Sequence, residues 1–296
     1  MKFKLVVDAG LELIETPVWD YRKKGIYWTD LFSGDVHFYD PATKKDRLWK
    51  TGRMIGAAIP TDDETKLLCS LEDGLYLMDL ETSELAFLAN PEPGREENRF
   101  NDTRVDARGR IYLSSVSKKY GTEAYTPDMM GGFYMVDTDG SIHTIEKEIN
   151  QYNAIVWNST NTRMFVVDTY HECLLSYPYD LERGITGPAE TVIRFTEQGM
   201  PDGMSIDAED NLYVCHWTGQ ISVWNREYQL VKTIPVPVGY ACCTGFGGEE
   251  LTDLYLATSR YCYDGELLRK NPGAGGLFAA EGEARGTMDH YYPIHL

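Results

Sequence analysis

Four residues with oxygen-bearing side chains occupy one repeated register of the chain: Glu15, Asn101, Asn153 and Asp202. Each stands four residues before the apolar member of a pair that ends in a turn residue: Trp19–Asp20, Val105–Asp106, Trp157–Asn158 and Ile206–Asp207. Two further copies of the pattern place Ile55 and Cys242 at that position. Two carboxylates and two amides that converge on one point have the donor chemistry of a hard-cation site. Two carboxylates held close together repel each other unless a cation or a proton lies between them. The alternative is that Asn and Asp here only start strands by capping turns. A Glu at the same register weighs against it.

The elements that must position these residues repeat with them. The segments TPVWD, GAAIPTD, NDTRVDARG, NAIVWNSTN, DGMSIDAED and CCTGFGG are each followed by a second aromatic run: GIYWTD, KLLCSL, RIYLSSV, RMFVVDT, NLYVCHW and DLYLATS. A third run follows each of those, as in DVHFYDP and GFYMVDT. Runs of β-branched and aromatic residues with period two, bounded by turn residues, read as strands. The unit recurs every roughly 40 to 50 residues, the spacing of propeller blades of about four strands. Six units predict an all-β, six-bladed β-propeller. In that architecture the first strand of each blade lines a central channel, so the four oxygen donors share one ring. The uninterrupted repeat predicts a single domain over residues 1–296, with a strand at Lys2–Val7 completing the last blade.

At 296 residues and 43% hydrophobic, the chain has enough apolar material for a large core. No stretch reaches the roughly 18 apolar residues of a membrane span. The start, MKFKLVVDAGLEL, turns acidic too soon for a signal peptide and reads as a strand. A formal net charge of −18 makes nucleic acid and anionic membranes poor partners. It suits a neutral substrate whose acidic product must leave, and equally reads as a device for solubility alone. The six cysteines show no C-x-x-C spacing, and several fall inside apolar runs. They read as reduced core residues of a cytoplasmic protein; for the adjacent pair Cys242–Cys243 buried packing is expected over metal binding, which vicinal cysteines can also provide. Helix is scarce, with EKEINQY and LLRKNPG as short candidates. The longest irregular stretches, 90–99, 117–130 and 260–275, are expected to supply binding loops carrying Lys118, Lys119, Tyr120, Tyr125, Tyr261, Tyr263 and Arg269. The histidines are scattered. His216 reads as structural, and Trp217 beside it as packing or as a platform for a sugar ring.

The strings ETPVW at Glu15, NRFNDTRVDARGR from Asn98, NAIVWNSTNTRMFVVDT from Asn153 and MPDGMSIDAEDNLYVCHW from Met200 resemble the senescence-marker-protein-30/gluconolactonase family. CCTGFGGEELTDLYLAT from Cys242 is similar to its last-blade motif, and GGLFAAEGEARG to its C-terminal tail. The resemblance covers nearly the whole chain. It implies a six-bladed propeller that hydrolyses a sugar aldonolactone to the aldonic acid with one divalent cation: calcium, zinc, manganese or magnesium. It matches Glu15, Asn153 and Asp202 to the three protein ligands of that cation. Asn101 matches a residue near metal and substrate, and Arg99 a substrate-contacting arginine.

The chain departs from the family at three points. Asn153 is followed by Ala154 where the family usually has Gly, and Glu15 by Thr16 where it commonly has Gly. A substrate-contacting glutamate of some gluconolactonases corresponds to Lys119, which changes the hydroxyl pattern or charge accepted and argues against D-gluconolactone itself. The mechanism implied has Asp202 as ligand and base, with Arg99, Asn101 and Lys119 binding a small neutral sugar lactone. Two other readings stay open: a calcium- or ligand-binding propeller without turnover, and a propeller esterase or phosphotriesterase. The oligomeric state is undetermined.

Overall fold

The period-two runs form strands, and the strands form six antiparallel sheets, in a computed structural model that describes residues 1–120, 126, 128–282 and 284–294. The first blade comprises Ile14–Asp20, Gly25–Asp30, Asp35–Asp40 and Lys45–Lys50, from the innermost strand outward. The next four begin with the inner strands Ile55–Pro60, Asn98–Val105, Tyr152–Trp157 and Pro201–Ile206. The sixth runs Ala241–Gly247, Asp253–Thr258, Leu277–Glu281, and then Lys4–Val7. The N-terminal strand is thus the outermost strand of the last blade, with Lys4 opposite Ala279 and Leu5 opposite Phe278. Each inner strand also touches the inner strands of both neighbours, which closes the ring.

Turn chemistry fixes where four of the six inner strands end. Asp20, Asp106, Asn158 and Asp207 each accept two backbone N–H groups from the turn that follows, at 2.8–3.2 Å. The capping role therefore belongs to the last residue of the repeated pattern.

The blades are held together by apolar layers between adjacent sheets. One such layer joins Tyr27, Val36 and Phe38 of the first blade to Ile55, Leu67 and Met78 of the second. Another joins Tyr213, Ile221 and Val223 of the fifth to Phe246, Leu254 and Phe278 of the sixth. Similar layers fill the other four junctions. At roughly 25 cal/mol per Å² of apolar surface removed from water, these layers carry most of the stabilisation.

EKEINQY is not helical: most of it belongs to the outer strand Ile142–Ile149, where Lys147 and Glu148 are exposed on the sheet edge and Ile149 is buried. The other candidate does form a short helix, Gly265–Lys270, where Asp264 accepts the N–H groups of Glu266 and Leu267 at 2.9 and 2.8 Å. Among the described residues no helix is long and apolar enough to cross a membrane. The C-terminal segment crosses the far mouth of the channel, where Ala208 donates to Arg285 O at 2.8 Å and Tyr292 to Pro60 O at 2.9 Å. It lines a cavity of about 520 Å³ there with the later residues of the inner strands.

Candidate metal and substrate site

All six inner strands carry an irregularity at or directly after the ring position. An inserted residue bends a strand and re-aims its side chains. The bends open the near mouth of the channel into a cavity of about 370 Å³ lined by Glu15, Arg99, Asn101, Asn153 and Asp202. Five residues singled out by the sequence therefore share one chamber, drawn from four blades.

The amides form a chain of hydrogen bonds. Arg99 Nη1 donates to Asn101 Oδ1 at 2.8 Å. Asn101 Nδ2 donates to Tyr152 O at 3.0 Å and to Asn153 Oδ1. Asn153 Nδ2 donates to Thr169 Oγ1 at 2.7 Å. The bond from Asn153 Nδ2 to Thr169 fixes the amide, and its Oδ1, which accepts from Asn101, keeps a second lone pair. Asn101 Oδ1 is taken by Arg99, so Asn101 orients its neighbours.

The carboxylates are under electrostatic stress. Burial and the neighbouring charges of Asp202 and Asp102 hold Glu15 well above the usual carboxylate range. Burial lifts Asp202 to about 7, against the Trp217 indole N–H, which donates to its Oδ2 at 2.6 Å. Burial pulls Arg99 down to about 10, although Glu15, Asp102 and Asp202 favour its charged form. The Glu15 carboxylate makes no hydrogen bond among the described residues, unlike the other four members of the site.

The two substitutions for glycine leave the backbone shape intact. Thr16 and Ala154 both adopt left-handed conformations, with φ of 50° and 51°. Such φ values cost an L-residue roughly 1–2 kcal/mol. Local bonds offset the cost: Thr16 Oγ1 donates to Gly56 O at 3.0 Å, and Ala154 N donates to Asp102 Oδ2 at 2.6 Å. Sequence reasoning passed over Asp102. It directly follows Asn101, where strand alternation alone gives no channel-facing signal, and it accepts from Ala154 N and Thr16 Oγ1.

Cys242 occupies the ring position of the sixth blade, between the blades of Asp202 and Glu15. It is fully buried and packs with Leu13 and Leu31. Its Sγ, a Glu15 oxygen and an Asp202 oxygen all lie within 4.8 Å of one another.

The rim of the chamber comes from the long loops. Lys118 lines it, with its Nζ 2.7 Å from Glu72, while Lys119 is not among the lining residues. Tyr120, Tyr170 and Tyr261 add aromatic surface, and Tyr261 stacks on Phe32. Gln151, another residue missed from sequence, lines the wall with its Oε1 buried and without a partner among the described residues. Trp217 stacks on Tyr240 while bonding Asp202, so its ring is committed to the protein. His216 is fully buried, bonded to Gly199 O and Ser222 Oγ at 2.9 and 2.7 Å, and burial lowers it to about 4. Tyr263 and Arg269 do not line the chamber. Tyr125 and His295 lie outside the described residues.

The donor set fits a divalent cation. Buried Asp202 and half-buried Glu15 both have raised pKa values, Glu15 has no hydrogen bond among the described residues, and Asn153 adds an amide oxygen to the same chamber. A dication between them would remove the repulsion that lifts both groups.

A six-bladed propeller with this chamber at its near mouth belongs to a defined group. Residues 13–260 match the SMP-30/Gluconolactonase/LRE-like region, and the chain belongs to that family. It is 29% identical over 98% of its length to a Bacillus subtilis protein provisionally named sugar lactone lactonase YvrE, of which 97% is covered. It is 28% identical to the pentonolactonase XacC of Haloferax volcanii, with 98% of each chain covered. The solved structure of a calcium-binding protein, regucalcin, from Agrobacterium tumefaciens superposes with a TM-score of 0.91 at 25% identity, covering 97% of this chain and 96% of that one.

Proposed function

We propose that the protein hydrolyses a neutral sugar lactone to the open-chain acid, with one divalent cation held by Glu15, Asn153 and Asp202. The observation that carries this reading is the half-buried Glu15 carboxylate, which lies beside Asp202 and makes no hydrogen bond among the described residues. The relatives named as lactonases support the reaction class. Bound at these residues, a divalent cation polarises the ester carbonyl and eases deprotonation of water.

The chain's own groups supply the rest. Arg99 presents a planar set of N–H donors to the ring and carbonyl oxygens, steadied by Asn101. Water adds to the carbonyl carbon, its proton passes to Asp202, and the bond to the ring oxygen breaks as that oxygen takes up a proton. The product carries a carboxylate into a chamber already rich in negative charge, which favours its release. Gln151 Oε1 is placed to accept from a substrate hydroxyl. We extend the same reading to Lys118, and to Lys119 only if the loop moves it inward. The proposed unit is the whole chain, residues 1–296, as one propeller.

A second reading is cation binding without turnover, favoured by the solved relative described as calcium-binding. Proton release in a pH-stat separates the two. Chelated protein is given each of calcium, zinc, manganese and magnesium and then a panel of pentono-, hexono- and deoxyhexonolactones. Metal-restored proton release is expected. Full activity after chelation would overturn the cation's role, and no release with any metal would leave binding alone.

A further inference from the structure

The sixth ring position opens a chemistry that oxygen donors do not offer. We propose that Cys242 binds a thiophilic divalent cation, zinc, cadmium or cobalt, through a metal–sulfur bond in the chamber of Glu15 and Asp202. The inference rests on the cation site proposed above and adds a donor to it.

Placement makes the case. Three consecutive blades present Asp202, Cys242 and Glu15 at one register, so the thiol lies between the two carboxylates around the ring. Three atoms no more than 4.8 Å apart share a point within 4.8/√3, about 2.8 Å, of each. Zinc–sulfur bonds of about 2.3 Å and zinc–oxygen bonds of about 2.0–2.2 Å need a closure of only several tenths of an ångström from there. The thiol has no competing use: Cys242 makes no hydrogen bond among the described residues, whereas its neighbour Cys243 donates to Thr244 O at 3.7 Å. Cys243 points the other way, toward Arg104.

On binding, the S–H proton leaves to the buffer and the sulfur lone pair forms the bond to the cation, with no change of oxidation state. Hard cations such as calcium and magnesium gain little from sulfur and bind through the oxygens alone. The same chamber therefore takes two classes of cation in two donor sets.

The test uses the full chain carrying Cys262→Ser, because that exposed thiol at the chamber rim would capture soft cations by itself. Cobalt titration is expected to give a near-ultraviolet sulfur-to-cobalt charge-transfer band together with visible ligand-field bands. Cys242→Ala should remove the first and keep the second, while Cys215→Ala keeps both. Cadmium affinity should fall by roughly tenfold or more in Cys242→Ala, and calcium affinity should stay within about twofold. If Cys242→Ala does not fold, the ¹¹³Cd resonance of the parent decides, since a sulfur ligand moves it strongly downfield. Cobalt and cadmium bound with purely oxygen-type spectra would overturn the inference and leave the cation site standing. Failure of every divalent cation to bind would overturn both.

Discussion

Trp217 donates its indole N–H to Oδ2 of Asp202 at 2.6 Å while its ring lies flat against Tyr240, 4.7 Å between centroids. The bond favours the charged carboxylate in a place where burial opposes it. Trp217→Phe keeps the stacking surface and removes the donor. Asp202 should then hold its proton to higher pH. At fixed calcium, the pH at which half the sites fill should move upward, and activity near pH 6 should fall more than near pH 8. An unmoved filling curve would show that the indole only packs.

The raised carboxylates make a prediction about the cation-free protein. A group whose pKa is raised by folding stabilises the fold below its unfolded value and loses that contribution as pH rises through the folded one. For Asp202 the window runs from the ordinary carboxylate range up to about 7, and Glu15 shifts in the same direction. Chelated protein should melt at a lower temperature at pH 8 than at pH 5, by on the order of a few kcal/mol in stability. Saturating calcium should flatten the difference. Equal melting at both pH values without a cation would contradict the assigned burial.

Glu15→Gln separates stability from binding. It removes one of two repelling charges, so the cation-free variant should be more stable than the parent at pH 8. Its cation affinity should fall by at least roughly tenfold, because a charged ligand becomes neutral. Asp202→Ala and Asn153→Ala should also bind weakly, and Asp202→Ala should lose nearly all lactone hydrolysis. Calorimetric titration with calcium reads all three variants.

Ala154 tests the strained backbone beside Asn153. Ala154→Gly relieves a left-handed cost of about 1 kcal/mol and adds a comparable entropy to the unfolded chain. Its stability should therefore stay within about 0.5 kcal/mol of the parent. Ala154→Val puts a β-branched residue at φ 51° in a packed layer and should cost about 2 kcal/mol or more. Urea denaturation of both distinguishes strain from packing.

Specificity should follow the chamber wall. Arg99→Ala should slow every lactone. Gln151→Leu should slow most those lactones whose hydroxyl reaches the unpaired Oε1, since lost polar contacts discriminate strongly. Lys118→Glu should redistribute rates across the lactone panel, and Lys119→Glu should do so less. The reverse order for the two lysines would mean that the loop rearranges around substrate.

The inner-strand register was legible because the blades repeat, irregularity included, so residues at the same offset before the apolar–turn pair take equivalent places around the channel. That is why Glu15, Asn101, Asn153 and Asp202 could be brought together without coordinates. The choice between Lys118 and Lys119 could not be made the same way. Both follow the strand Ile111–Ser117, where the period is lost and side-chain direction depends on loop conformation. Asp102 and Gln151 were hidden for another reason. Their roles depend on the bend at the ring position, which turns Asp102 toward Ala154, and on Gln151 Oε1 having no partner among the described residues, neither of which periodicity encodes. Thr16 and Ala154 show that a missing glycine does not mean a missing conformation.

The pairing of Lys4–Val7 with Leu277–Glu281 also orders events during synthesis. The earliest strand of the chain must wait, unpaired, until almost all of the remaining chain has left the ribosome. Deleting residues 1–8 should therefore leave the last blade open and lower the melting temperature of the whole protein; an unchanged melt would show that the strand is dispensable. Until the last blade is made, the outward face of Ile14, Ile26 and Trp28 has no sheet to cover it. A chain stalled after the fifth blade presents that face together with the uncovered side of the fifth blade. Two such chains offer each other complementary surfaces, so premature termination should yield mutual capture between nascent chains.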